Sequence, residues 1–126
     1  MTAPFWLNTP EMQAYTQEYY TKYKVYPGEL SMDYYLSTLS LCEGIKKAGT
    51  TDTDQVIRTL ETLTMTNTPL GVISYNDYDH QANSPLWYGS SIISPDYPIA
   101  IAQNMIKYQD NIYPTRDEVL ALRSGH

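Results

Sequence analysis

The sequence predicts an α/β fold in which helices pack on a small sheet with a β-hairpin. Two patterns carry the expectation. Met32, Tyr35, Leu36, Leu39, Cys42 and Ile45 recur at helical spacing and close on Lys46-Lys47-Ala48-Gly49, which reads as a long amphipathic helix with a glycine stop. Further on, Leu70-Gly71-Val72-Ile73 is a short apolar run between Thr68-Pro69 and a polar, turn-rich stretch, which reads as a strand. A length of 126 residues suits one domain over positions 1–126, with a modest core rather than two lobes each with its own sheet.

Each element has a local reason. Thr9-Pro10-Glu11 is a helix start: Thr9 caps, Pro10 fits the first helical position, and Glu11 complements the positive end of the dipole. Met12, Tyr15, Tyr19 and Tyr23 then share one face, and Pro27-Gly28 follows the end of that helix. Ser31 is the expected cap of the second helix, with Asp33 in its first turn. Cys42 falls in the apolar stripe and is expected to be a buried, inert thiol. Gly44 inside this helix signals close packing against a neighbour. Asp52 caps a third helix ending near Leu63, with Gln55 completing a capping-box-like pair and Val56, Ile57, Leu60 and Leu63 as its buried face.

The strands come next. Pro69–Tyr75 is the expected first strand, and Leu86–Ile93 the second, antiparallel to it. Pro98–Met105 is a third extended segment, whose flanking and leading prolines place it at an edge or a crossing. Thr115 and Glu118 form a capping box ahead of a short helix carrying Val119, Leu120 and Leu122.

Composition excludes some function classes. Eight Lys and Arg against fourteen Asp and Glu give a net charge of −6. With no basic cluster, the chain is not expected to bind nucleic acid or anionic lipid, because both need concentrated cations. No apolar run is long enough for a transmembrane helix. Residues 1–9 show neither a basic start nor an extended apolar stretch, so no signal peptide is expected there. The aromatic content is skewed: 13 residues are Tyr and one is Phe. Two readings fit, a polar aromatic surface for a ligand or partner, and rings packed along the edge of the core.

Three constellations invite chemistry. Asp77-Tyr78-Asp79-His80 gathers two carboxylates and an imidazole. A calcium loop starting at Asp77 would need Gly at its sixth position and Glu at its twelfth, where Ala82 and Tyr88 stand. Zinc favours spaced His and Cys, and the histidines are only His80 and His126. No metal is therefore expected, and the run reads as a hairpin loop whose Asp side chains bond their own backbone. His80 has no oriented partner in the sequence, and no nucleophile motif or phosphate-cradling glycine loop accompanies it. The lone Cys42 has no activating neighbour. Neither an enzyme nor a cofactor is expected.

The order of these landmarks is more specific than any one of them. A helix ending in Lys46-Lys47-Ala48-Gly49, a short helix capped by Asp52, the entry Thr68-Pro69-Leu70-Gly71 and the turn Asp77-Tyr78-Asp79-His80 follow one another. Phe5-Trp6-Leu7, Asn8-Thr9-Pro10-Glu11 and a Tyr-rich helix precede them. From about Pro4 to Ile101 the chain resembles the late part of the branched-chain amino-acid type of periplasmic binding protein, the extracytoplasmic receptors of ABC importers. The resemblance implies a partial type I periplasmic-binding-protein fold, the C-terminal portion of a longer, two-lobed receptor. It implies a small-molecule solute (an amino acid or amide), an ABC permease as partner of the intact protein, and an extracytoplasmic location. By position it implicates Ser31, Met32 and Tyr35 at the entry of the second helix as ligand contacts. A helix N-terminus favours polar and anionic groups. The same residues also read as a cap and core positions. The other expectation is an interaction module without a small-molecule site, which self-associates as a homo-oligomer through uncovered apolar faces.

Overall fold

The computed structural model describes residues 7–109 and 112–125, so the Phe5-Trp6 opening and His126 lie outside the described residues. Thr9 caps the first helix, α1 (Pro10–Tyr23), accepting from the backbone N–H of Met12 at 3.3 Å. Lys24 ends it in the left-handed region at φ 60°. The second helix, α2, runs Glu29–Ala48 and stops at Gly49, also left-handed at φ 68°. Its cap is Gly28, not Ser31. Ser31 lies one turn inside, where its hydroxyl donates to Gly28 O at 2.6 Å. The helix starts earlier than expected: Gly28, extended at φ −91° and ψ 177°, opens it, and Ser31 bonds back to its carbonyl from inside the first turn.

The stripe that α2 buries is Met32, Leu36, Ser40 and Gly44, and Cys42 is exposed. The apolar pattern pointed at Cys42 because it ignored small residues. Gly44 faces α3 (Thr53–Leu60), where an added Cβ would sit 2.8 Å from Leu60 Cδ2. That close approach turns the Gly44 side of α2 inward and Cys42 outward. Asp52 caps α3 by accepting from Gln55 N at 3.0 Å; the helix stops at Leu60, and Ile57 is exposed.

A three-stranded antiparallel sheet follows: β1 (Thr64–Thr68), β2 (Gly71–Tyr75) and β3 (Ala82–Asn83). The sequence reading missed β1, a polar strand whose inward residues are Met65 and Thr68 on either side of a bulge. It also started β2 too early. Pro69 and Leu70 form the turn between the strands, closed by Thr68 Oγ1 donating to Gly71 O at 2.6 Å. Gly71 sits at φ 114°, a conformation that side-chain-bearing residues rarely adopt. β4 (Leu86–Ile92) pairs antiparallel with β5 (Ile101–Tyr108) in a separate two-stranded ribbon, not with β2. Gly89 explains part of this choice. A side chain there would run into Met105 Sδ and Gln103 O, so glycine lets the two strands meet at the bulge. The chain ends in α4 (Arg116–Ser124), where Thr115 and Glu118 make the expected capping box.

The core gathers Leu7, Met12, Tyr15, Met32, Leu36, Leu63, Met65 and Ile73 between the first two helices and the first sheet. One polar link crosses it. Tyr75 Oη donates to Ser40 Oγ at 2.6 Å, and Ser40 Oγ donates onward to Leu36 O at 2.8 Å. This is a mixed α and β fold with helices on a small sheet, as the sequence predicts. Among the described residues no helix is long and apolar enough to cross a membrane.

Candidate functional site

Where α1 runs into α2, the two helices leave a groove of about 370 Å³, within the range of small-molecule sites. On the α1 side Tyr15, Glu18, Tyr19, Lys22 and Tyr23 line it. Their three- and four-residue steps put them on one helical face. On the α2 side Ser31, Tyr34, Tyr35 and Thr38 repeat that spacing. The short connection 24–28 sets the C-terminal end of one stripe beside the N-terminal end of the other.

The rings brace one another. Tyr15 and Tyr35 meet across the groove with centroids 4.8 Å apart and planes tilted by 46°. Tyr15–Tyr19 and Tyr19–Tyr23 continue the contact along α1 at 5.9 and 4.6 Å. Such tilted pairs are favourable beyond the area they bury. Lys22 Nζ lies 5.3 Å from the centroid of the Tyr23 ring, a cation–π distance.

Tyr15 is the unusual member. It is only 8% exposed, and its Oη has no hydrogen-bond partner. Burial pushes the phenol above its ordinary range, and the neighbouring Tyr19, Tyr35 and Tyr23 push the same way. The nearby Ser31 hydroxyl opposes that shift, but its hydrogen is committed to Gly28 O, and Ser31 and Tyr15 do not complete a hydrogen bond. Tyr15 therefore keeps a neutral O–H that is closed off from solvent, with the Ser31 hydroxyl beside it.

Of the three residues implicated by the resemblance, the structure brings Ser31 and Tyr35 to the groove and sends Met32, 2% exposed, into the core. Sequence reasoning missed Tyr15 as a groove residue because it counted the ring as core, which it also is. The signal that finds it is the Tyr-Glu-Tyr-Lys-Tyr set at 15, 18, 19, 22 and 23, polar atoms recurring on a face otherwise read as apolar.

The Asp77–His80 run is otherwise engaged. Asp79 Oδ1 accepts from Gln81 N at 2.9 Å, the self-bonded loop expected of an Asp turn. Asp77 pairs with Arg116 at 2.8 Å. His80 does have a partner, contrary to the sequence reading: its Nε2 lies 3.0 Å from Glu61 Oε1, a residue distant in sequence that the β2–β3 turn brings close. No group of three His, Cys, Asp or Glu positioned for a metal occurs among the described residues.

The family described as "Periplasmic binding protein" matches residues 1–91. The fold is similar to the crystal structure of an ABC-type branched-chain amino acid transporter from Rhodopseudomonas palustris, with a TM-score of 0.67 and 19% identity. The match covers 79% of this chain and 27% of that one, so this chain spans about a quarter of the length of its solved relative. No curated protein matches it significantly.

Proposed function

This chain belongs to the periplasmic binding protein family, and on that premise we propose that it is part of the extracytoplasmic solute-binding component of an ABC importer. The family is one of solute binders rather than enzymes. The proposed solutes are small and polar, branched-chain amino acids or amides, and the proposed partner of the intact receptor is its permease. The observation that supports this most is the groove between α1 and α2, where Ser31 and Tyr35 at the entry of α2 meet the tyrosine stripe of α1. We assign Ser31 and Tyr35 as contacts; Met32 supports them from beneath, because it holds the first turn of α2 on the core.

The test is thermal unfolding of the purified chain against a panel of amino acids and their amides. A ligand at a hundred times its Kd stabilises by about 2.7 kcal/mol, a readily measured rise in Tm. Ser31→Ala and Tyr35→Ala should reduce that rise. No rise with any member of the panel contradicts the assignment.

A second reading has its own support. The ribbon of β4 and β5 exposes Tyr88 and Ile106 at 58% each, and Ile93, just past β4, is 93% exposed; a bare two-stranded ribbon is marginal in water. A self-associating module would cover those residues with a second copy. Light scattering separates the two: a concentration-dependent dimer with no ligand response favours the module, and a monomer with a ligand response favours the receptor.

A further inference from the structure

We propose that the β4–β5 ribbon is a strap that sets the shape of the α1–α2 groove: Tyr97 at its tip seats on Tyr26 in the connection 24–28, and that seat fixes how the two groove-bearing helices meet. The groove is controlled in this way whatever fills it.

The ribbon is anchored at one end and engaged at the other. Its register runs from Leu86 opposite Tyr108 to Ile92 opposite Ile101. At the first end Trp87 Nε1 donates to Leu70 O at 3.3 Å. Gln109 Nε2, just past β5, donates to Val72 O at 2.8 Å. This end is therefore bonded to the β1–β2 turn and to β2. At the other end the loop 93–100 turns on itself. Ser94 accepts twice, through Oγ from Asp96 N at 3.2 Å and through its carbonyl from Tyr97 N at 3.5 Å. The turn leaves Ile93 and Ile99 exposed and packs Tyr97 against the core. Trp87, Ile101 and Met105 of the ribbon pack there too.

Tyr97 lands on the elbow between the helices. Its ring meets Tyr26 edge-on, with centroids 5.3 Å apart and planes at 71°. Tyr26 in turn meets Tyr20 of α1 at 5.0 Å. The connection has little slack around it: Lys24 ends α1, Pro27 is fully buried, and Gly28 opens α2. Since the connection sets the Tyr23 end of one groove stripe beside the Ser31 end of the other, a displacement of Tyr26 moves the two walls against each other.

Two states follow. A two-stranded ribbon is marginal in water by itself, and an edge-to-face ring pair adds only a modest increment. Release of the tip is therefore a local opening that costs far less than unfolding. With Tyr97 seated, the elbow is held; with Tyr97 released, the stripes are free to splay. By linkage, whatever steadies the elbow also steadies the tip.

The experiment follows amide exchange and tyrosine ring signals in the full chain without ligand. Lys24 N bonds to Tyr20 O at 2.9 Å and Met32 N to Gly28 O at 3.3 Å, so these two amides report the two sides of the elbow. Tyr97→Ala is expected to speed exchange at both by about tenfold and to shift the ring signals of Tyr23 and Tyr35, with the β1–β2 amides unchanged. Tyr97→Phe keeps the ring and should match the unsubstituted chain. In the other direction, Tyr26→Ala should speed exchange around Ile92 and Ile101 but not around Leu86 and Tyr108. Unchanged exchange at Lys24 and Met32 in Tyr97→Ala overturns the strap. So does a Tyr97→Phe chain that behaves like Tyr97→Ala, because the ring would then not be the latch. Uniform acceleration that includes β1 and β2 overturns it as well, because that marks general destabilisation and not a coupling of tip to elbow. None of these outcomes involves a solute, so the receptor reading stands or falls by its own test.

Discussion

From Leu7 to Tyr75 the chain is built around buried apolar side chains; from Ala82 onward, Pro85 is the one residue among those described that is buried. The second region leans on that core only through half-buried Trp87, Tyr97, Ile101 and Met105, and polar contacts tie it to the first region and to the β2–β3 turn. Trp87 Nε1 donates to Leu70 O at 3.3 Å, and Gln109 Nε2 to Val72 O at 2.8 Å. Arg116 pairs with Asp77, Arg123 Nη1 donates to Tyr78 O at 2.6 Å, and Tyr78 Oη donates to Pro114 O at 3.0 Å. The difference teaches how stability is distributed. Apolar burial is additive and non-directional, so the first region should resist any single polar loss. Exposed ion pairs contribute little each, so the second should loosen well before the first unfolds.

The sharpest way to break this contrast is a matched pair of truncations. Met12→Ala empties a site that is 0% exposed and should cost about 2–5 kcal/mol in urea unfolding. Ile106→Ala, in the ribbon at 58% exposed, should change stability by no more than about 0.5 kcal/mol. Equal losses would erase the distinction between the regions.

A smaller effect probes the polar link inside the first region. Ser40→Ala removes the acceptor of Tyr75 Oη and the side-chain donor to Leu36 O, and should cost about 1–3 kcal/mol. Tyr75→Phe deletes the donor and leaves Ser40 bonded to Leu36, so its loss should be nearer 1 kcal/mol. Smaller still is Arg116→Ala. Its ion pair is more than half exposed at both ends, and its loss should cost under about 1 kcal/mol, vanishing in high salt. Amide exchange in α4 should nonetheless accelerate, because Arg116 ties it to the β2–β3 turn.

The smallest effect is a pH dependence at the same helix. Thr115 bonds hold the Glu118 carboxyl below its ordinary range, first through its backbone N–H and then through its hydroxyl. A depressed folded-state value means that the cap stabilises fully above the ordinary carboxylate range and loses its contribution as pH falls through the lowered value. The α4 amides should therefore exchange faster on acidification, and Glu118→Gln should flatten the profile.

The two regions also differ in how much of them could be read from residues alone. Caps are local, so Thr9, Asp52, Gly49 and the Thr115–Glu118 box announced their helices correctly. Pairing is not local. The sequence shows that Leu86–Ile93 is extended but carries no label for its partner, which the close approach at Gly89 helps to decide. β1 was illegible because its inward residues, Met65 and Thr68, flank a bulge that destroys the period of two. Cys42 was misplaced because helical spacing finds large apolar residues, while the face of α2 that packs is marked by Ser40 and Gly44. At the groove, Ser31 and Tyr35 were legible by position through the family resemblance. Tyr15 was passed over: its place on the groove face was legible in the spacing of Tyr15, Glu18, Tyr19, Lys22 and Tyr23, while the burial of its hydroxyl is a property of the fold.

That hydroxyl is where the first region departs from its own rule of well-matched burial, and natural proteins keep such departures where function needs them. Equilibrium urea unfolding of Tyr15→Phe beside the unsubstituted chain, both without ligand, tests this most directly. Removing a buried donor that has no acceptor should raise stability by about 1 kcal/mol at an unchanged denaturant slope. A fall in stability would mean that Tyr15 Oη is already satisfied, through the Ser31 oxygen beside it, and would contradict the account of Tyr15 as an unmatched group of the core.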